Sequence, residues 1–346
     1  MSAKANHFKI FDDALDEGYF SHAYIECGFL DDQEPRFCKS WGNNEDIFDL
    51  ASLTKGLATG PLIYKAYLDG HFSLDQQIGD LVRALPYPIS SLTIKELLGH
   101  SSGLAPWKNF WIDRLGSQST STFKLDSSDH IKKVFLRSNI VLDTKIDRYS
   151  DLGFILLGLV LEEVFQDTLD NLFAGFQKGY LNLPEPKLVY SPATISDECI
   201  STSFCTIRNR MLRGEVHDEN CASLGGVSGH AGLFSSGDNL GSFLRSFAQT
   251  PHGRSFIRAN HKAVKNRIPL IGLRQGDDPS SNTFGDGQAI GHLGFTGTAF
   301  WIDYERYSYS IFLSNRIRSG RISPLIKTLR REANTFSQHI IDGHFS

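Results

Sequence analysis

No stretch of about eighteen uninterrupted apolar residues occurs in this chain. The opening MSAKANHFKIFDDALDEGYF carries acids where an export signal needs an apolar run. These absences exclude a membrane span and lead to the expectation of an unexported protein, with the cytoplasm as its compartment. Basic surplus is missing too: 35 Lys plus Arg face 39 Asp plus Glu, a net charge of -4, which argues against nucleic acid or an anionic membrane surface as partner. Cysteines number only five (Cys27, Cys38, Cys199, Cys205, Cys221), widely spaced and without a C-x-x-C pair, a pattern of buried thiols in a reducing compartment. Neither G-x-G-x-x-G, nor a phosphate-cradling G-x-x-x-x-G-K-[ST], nor H-E-x-x-H is present, so no cofactor and no metal are expected. His100, His217 and His230 read as structural loop histidines, and the basic residues Arg316, Arg318, Arg321, Lys327, Arg330 and Arg331 as a solvated helix face.

What is present is core-forming material. Of 346 residues, 40% are apolar and 12% aromatic, enough for one large domain or two interlocked ones and incompatible with disorder. Helical spacing over His7 to Glu17 precedes two strand-like runs, Tyr19 to Leu30 and Arg36 to Trp41. Near the other end, Gly297 to Asp303 and Tyr307 to Asn315 read as strands and Pro324 to Ala333 as a helix. Between them, Leu53 to Leu68, Thr93 to Leu98, Ser128 to Arg137, Leu152 to Phe165 and Asp238 to Thr250 have helical spacing or lengths too great for a strand. The economical arrangement is α+β: an antiparallel sheet built from both chain ends and flanked by helices, with a mostly helical part inserted between its strands. The expected division is 1–60 with 231–346 for the sheet and its helices and 61–230 for the insert. The cleft between the two parts is the expected place for a small-molecule site.

Three local patterns carry chemistry. In Ser52-Leu53-Thr54-Lys55, serine and lysine three apart at a helix start project from one face, bringing the lysine nitrogen within reach of the hydroxyl and activating an alcohol without histidine. A bare S-x-x-K is common, and Ser121 to Lys124 is a second copy with no expected role. In Arg148-Tyr149-Ser150-Asp151, Ser150 or Asp151 suits an N-cap and Tyr149 a packed aromatic; the chemical alternative makes Tyr149 a proton-shuttling phenol beside a cation. Gly291-His292-Leu293-Gly294-Phe295-Thr296-Gly297-Thr298 is either a glycine-rich turn with a solvated histidine or a strand whose small residues admit a substrate backbone.

In this order and spacing the three pieces resemble the serine β-lactamase and penicillin-binding family, especially the branch with class C β-lactamases, D-alanyl-D-alanine carboxypeptidases and related esterases, whose motifs are S-x-x-K, Y-x-N and K-T-G or H-T-G. Leu97 to Leu104 and Gly225 to Ser235 are similar to two further family segments, so the likeness spans about residues 45 to 316. The resemblance implies a β-lactamase/transpeptidase-like fold, Ser52 as the acylated nucleophile, and Lys55 with Tyr149 as base and proton relay. It implies an oxyanion hole from the amides of Ser52 and Phe295, and substrate contacts from His292, Gly294, Asp151 and Thr296. Two departures stand out: Asp151 replaces the asparagine of the second motif, and Leu293 the hydroxyl residue of the third, for which Thr296 or Thr298 is the expected substitute. Asp151 near Lys55 would stabilise the ammonium and favour Tyr149 as base. The implied activity is acyl-enzyme hydrolysis of a small molecule or short peptide, as a D-amino-acid peptidase, carboxypeptidase or amidase on cell-wall-derived substrates. A carboxylesterase, a β-lactamase and a non-catalytic relative that keeps the fold as a binding module are the alternatives.

Overall fold

The computed structural model describes residues 3–109, 111, 148–190, 198–266, 269–275 and 283–344. Helix α1 (Ala3–Asp16) presents Phe8, Phe11 and Ala14 on one buried face, the spacing that makes a helix amphipathic. It is followed by strands β1 (Ala23–Phe29) and β2 (Phe37–Trp41), paired antiparallel. Strand β3 (Phe48–Asp49) leads into the Ser52 turn, a π-helical run over Lys55–Thr59 and helix α2 (Gly60–Leu68). Helix α3 (Ile94–Leu98) begins at a capping box, in which Thr93 and Glu96 satisfy each other's free amides. Helices α4 (Asp151–Phe165) and α5 (Leu169–Gly175) come next. Then follow β4 (Val189–Tyr190), the hairpin β5 (Ser201–Cys205) and β6 (Arg210–Arg213), α6 (Glu219–Ser223) and β7 (Leu233–Ser235). The last part holds α7 (Gly237–Gln249), α8 (Pro251–Asn266), β8 (Arg274–Gln275), β9 (Ile290–Leu293), β10 (Ala299–Asp303), β11 (Ser308–Ser314) and α9 (Leu325–Ile341). The helix expected over Ser128 to Arg137 lies outside the described residues.

The main sheet has the order β2-β1-β11-β10-β9-β8, antiparallel throughout, so the two chain ends meet at its centre. Ala23 faces Ser314 and Phe29 faces Ser308 across that central seam. Alternation sorts the side chains: Ala23, Ile25 and Phe312 pack with α1 and α9, whereas Tyr24, Tyr309, Ile311 and Leu313 join the large core on the other face. This is an α+β architecture. Glu26, on that second face, is fully buried beneath α7, where Arg245 pairs with it at 2.8 Å and the Tyr24 and Tyr309 hydroxyls each donate to it at 2.5 Å. Helix α4 runs through the large core and is buried continuously from Leu152 to Leu161, which explains a sequence apolar on every face. A small sheet, β3-β7-β4, ties the segment before Ser52 to the strand after His230.

Candidate active site

The turn that carries Ser52 is anchored before it reaches that residue. Asp49, almost fully buried, accepts the amides of Ala51 at 2.8 Å and His217 at 2.6 Å. Burial pushes its carboxyl up, to about 6, against the pull of those two amides. Ala51 sits at φ 49, a left-handed conformation costly for a residue with a Cβ, and this sharp bend leaves Ser52 partly exposed at the start of the helix.

Lys55 is fully buried; its ammonium donates to Ser52 Oγ at 3.0 Å and to the His230 carbonyl at 2.9 Å, and forms an ion pair with Asp151 Oδ1 at 2.7 Å. Burial favours the neutral amine, but the Asp151 carboxylate, helped by contact with Tyr149, outweighs it and holds the ammonium above the ordinary lysine range. Lys55 therefore rests as a cation that donates to Ser52. The Tyr149 ring lies 5.2 Å from Lys55 Nζ, and its hydroxyl interacts with both Lys55 and Ser52. Burial raises this phenol; Lys55 pulls it down and Asp151 pushes it up again, so at rest it is neutral. Before either group takes the Ser52 proton, the coupled pair must release one.

Tyr149 and Asp151 reach the site because α4 starts there. Ser150 is the N-cap by position, but its hydroxyl donates to Ala105 O at 2.6 Å and its amide to His100 Nδ1 at 3.1 Å, so it fixes the loop instead of capping the helix. His100, expected to be a structural loop residue, stacks against Tyr149 with ring centroids 4.5 Å apart; burial, then Lys55 and Arg274, lower its pKa to about 3.

The third motif closes the site from β9. His292 is buried and hydrogen-bonded through Nδ1 to the Leu293 carbonyl at 2.8 Å, and burial followed by Lys55 keeps the ring neutral. Its Nε2 is thus an acceptor, without a partner among the described residues, beside the Tyr149 ring at 5.9 Å. The imidazole is a hydrogen-bonding group here, not a cation. A Cβ on Gly294 would come within 1.9 Å of Thr298 Oγ1 and 2.7 Å of the Leu50 carbonyl, so only glycine lets this loop lie against the Ser52 turn. Among the described residues the amides of Ser52 and Phe295 have no acceptor, as an oxyanion hole requires. The Phe295 ring is exposed.

Two expectations change. Neither Thr296 nor Thr298 supplies the hydroxyl missing at Leu293. Both are buried and donate instead to the Asp49 carbonyl at 2.7 Å and the Leu50 carbonyl at 3.1 Å, because the loop between β9 and β10 lies directly on the turn before Ser52. Arg316 and Arg330 are not part of a solvated face. Both are buried, Arg316 donating to Phe295 O at 2.5 Å and Arg330 to Gly294 O at 2.6 Å and Thr298 O at 2.9 Å, so they clamp the loop that presents the Phe295 amide.

Sequence reasoning missed Arg274. It lies on β8 opposite Gly291, with its guanidinium 5.5 Å over the Tyr149 ring, and no carboxylate among the described residues pairs with it. No local motif surrounds it; the link to the third motif is made only by strand pairing.

The Beta-lactamase family model matches residues 28–335. N-acetylmuramyl-L-alanine amidase of Bacillus subtilis (strain 168) is 27% identical over 322 residues, covering 80% of this chain and 70% of the relative. Among solved structures, a beta-lactamase/D-alanine carboxypeptidase from Pseudomonas syringae superposes with a TM-score of 0.67 at 12% identity, over 99% of both chains. EstCE1, a hydrolase with promiscuous acyltransferase activity, gives 0.67 at 15% identity, over 96% of this chain and 98% of its own. With the match extending over most of the sequence and the three motifs converging around Ser52, the chain belongs to the β-lactamase family.

Proposed function

We propose that the protein is a serine hydrolase acylated at Ser52, acting as a D-amino-acid peptidase, carboxypeptidase or amidase on small peptides of the kind found in cell walls. The observation that carries this is the contact between Lys55 Nζ and Ser52 Oγ at 3.0 Å, with Tyr149 on the same hydroxyl. In the proposed cycle the Lys55–Tyr149 pair, having lost one proton, takes the proton of Ser52 as its oxygen bonds to the acyl carbon. The tetrahedral oxyanion lies on the amides of Ser52 and Phe295, and the same pair returns the proton to the departing amine. Water then releases the acyl group. Asp151 and Lys55 neutralise each other, and no carboxylate among the described residues pairs with Arg274, which supports a substrate bearing a carboxylate. The relatives named for amidase and D-alanine carboxypeptidase chemistry agree with this reading.

The carboxylesterase reading draws on a different observation: Leu293 puts an alkyl group where the family places a hydroxyl, and Thr296 and Thr298 do not replace it. The test is intact-protein mass after brief incubation with a penicillin, beside Ser52→Ala. A penicillin-sized gain absent from the variant supports the peptidase reading. Absence of an adduct, with hydrolysis of p-nitrophenyl esters, selects the esterase, and failure of both removes the catalytic reading.

A further inference from the structure

Lys55 receives one of its hydrogen-bond acceptors from a loop that neither the catalytic motifs nor the proposed cycle uses. The His230 carbonyl stands 2.9 Å from Lys55 Nζ, and the His230 ring is buried and held at both nitrogens: Nδ1 against Ser228 Oγ at 2.8 Å and Nε2 against Asp218 Oδ1 at 2.9 Å. Asp218 accepts a second bond, from the Cys221 amide at 2.7 Å, as N-cap of α6. The loop is also sewn to the helix of the nucleophile, Thr59 donating to Gly229 O at 2.7 Å. A Cβ on Gly229 would approach the Phe154 carbonyl of α4 to 2.1 Å. The loop is therefore wedged between the helix that carries Lys55 and the helix that begins at Asp151.

Ser, His and Asp in hydrogen-bonded series invite a reading as a second nucleophilic triad. The geometry opposes it, because Ser228 is buried and so closed to a substrate, although its distance from the ring nitrogen would suit a nucleophile–base pair. Fixing the peptide is what the arrangement does well: a ring tethered at both ends leaves the His230 carbonyl one orientation.

We infer that Asp218, His230 and Ser228 form a positioning array for Lys55, holding the His230 carbonyl on the ammonium so that Nζ stays aimed at Ser52. This rests on the reading of Ser52 as nucleophile. Because Asp218 is ionised, held below the usual carboxylate range against the effect of burial by His230, the Cys221 amide and Lys55, it also adds a negative charge near the ammonium. Lys55 further faces Asp151 and Tyr149 and influences the neutral rings of His100 and His292, with Arg274 beyond Tyr149.

The experiment measures the rate of covalent labelling by an alkyl fluorophosphonate against pH, by intact mass, for the parent protein, Asp218→Asn and His230→Ala, with circular dichroism to report folding. Asp218→Asn keeps an oxygen for His230 and Cys221 and removes only the charge. It is expected to move the rising limb of labelling to lower pH by about half a unit or more while keeping a plateau within about threefold of the parent. His230→Ala is expected to lower the plateau about tenfold or more and to move the limb in the same direction. A limb and plateau unchanged in both folded variants overturn the array, as does a lower plateau with no change of limb, which is the mark of structural damage alone. The crystal structure of His230→Ala reports without turnover: a residue-230 carbonyl beyond about 3.5 Å from Lys55 Nζ supports the inference and an unmoved one refutes it. Lack of labelling in the parent protein instead strikes at the nucleophile reading, and the crystallographic comparison then decides the array by itself.

Discussion

Asp151→Asn restores the residue type that the family resemblance leads one to expect, and the structure gives the consequence a sign. The Asp151 carboxylate is 2.7 Å from Lys55 Nζ, with Lys55 fully buried and Asp151 17% exposed. At an effective dielectric of about 20, opposite charges at that separation attract by about 6 kcal/mol before desolvation is counted. If only a quarter of this survives as a preference for the ammonium, loss of the carboxylate lowers the pKa of the Lys55–Tyr149 pair by about one unit, since a unit corresponds to about 1.4 kcal/mol. Burial, no longer opposed by Asp151, pushes in the same direction. The pair must lose a proton before it can accept one from Ser52, so acylation by the parent protein rises toward alkaline pH. In Asp151→Asn the same rise occurs at least about one unit lower, and labelling at pH 7 becomes faster. The assay is the pH dependence of adduct formation followed by intact mass, at several reagent concentrations so that binding and acylation separate. A limb that stays in place, with slower acylation at every pH in a folded variant, refutes the reasoning and makes the Asp151–Lys55 ion pair itself the working form.

Three other outcomes follow from the same structure. Arg274→Leu should raise KM about tenfold or more for a peptide ending in a free carboxylate while leaving the corresponding amide or methyl ester within about threefold; equal effects on both would remove Arg274 from anion recognition. Folded-state pKa values of about 3 for His100, about 4 for His217 and about 4 for His252 lie below the unfolded value of 6.5, all driven first by burial. The unfolded chain therefore takes up protons first, and stability should fall as pH drops from 6.5 toward 4, partly offset by Asp49, whose raised value of about 6 has the opposite sign. His252→Phe should flatten that loss in Tm against pH, and an unchanged slope would exclude His252 as a contributor. Gly241→Ala would bring a Cβ within 1.8 Å of Glu26 Oε1 and disturb the buried Glu26–Arg245 pair; a urea-unfolding loss of about 1–3 kcal/mol is expected, and no loss would mean that α7 shifts freely.

What was legible in the sequence was local. Ser52 and Lys55 share one helical face, Tyr149 and Asp151 share one helix start, and His292 and Gly294 share one strand end, so short patterns pick them out as candidates. Helices α1 and α7 were likewise written in apolar periodicity, and the central strands β1 and β11 and helix α4 in apolar or aromatic runs. Helix α8 escaped because its buried face mixes Phe256 and Ile257 with His252, Asn260 and His261, which weakens the apolar stripe. Residues whose roles depend on distant partners were not legible: Arg274 acquires its place through β8–β9 pairing, and His230 through Asp218 and Lys55. Arg330 left a usable sign, since it falls in register with Ile326, Leu329 and Ala333 on the buried face of α9, where a solvated arginine has no reason to be. Cys38, expected to be buried with the other thiols, is exposed on β2, a short strand at the sheet edge where alternate side chains point to solvent.

The seam between β1 and β11 also governs when the protein becomes able to work. Ala23 pairs with Ser314, so the centre of the sheet joins residues far apart in the chain. A nascent chain carries Ser52, Lys55 and Tyr149 long before β11 emerges, yet β9 and the Phe295 amide have no sheet to hold them until it does. The proposed acylation therefore waits for β11, and the long loop that the seam closes makes its formation a slow step of folding.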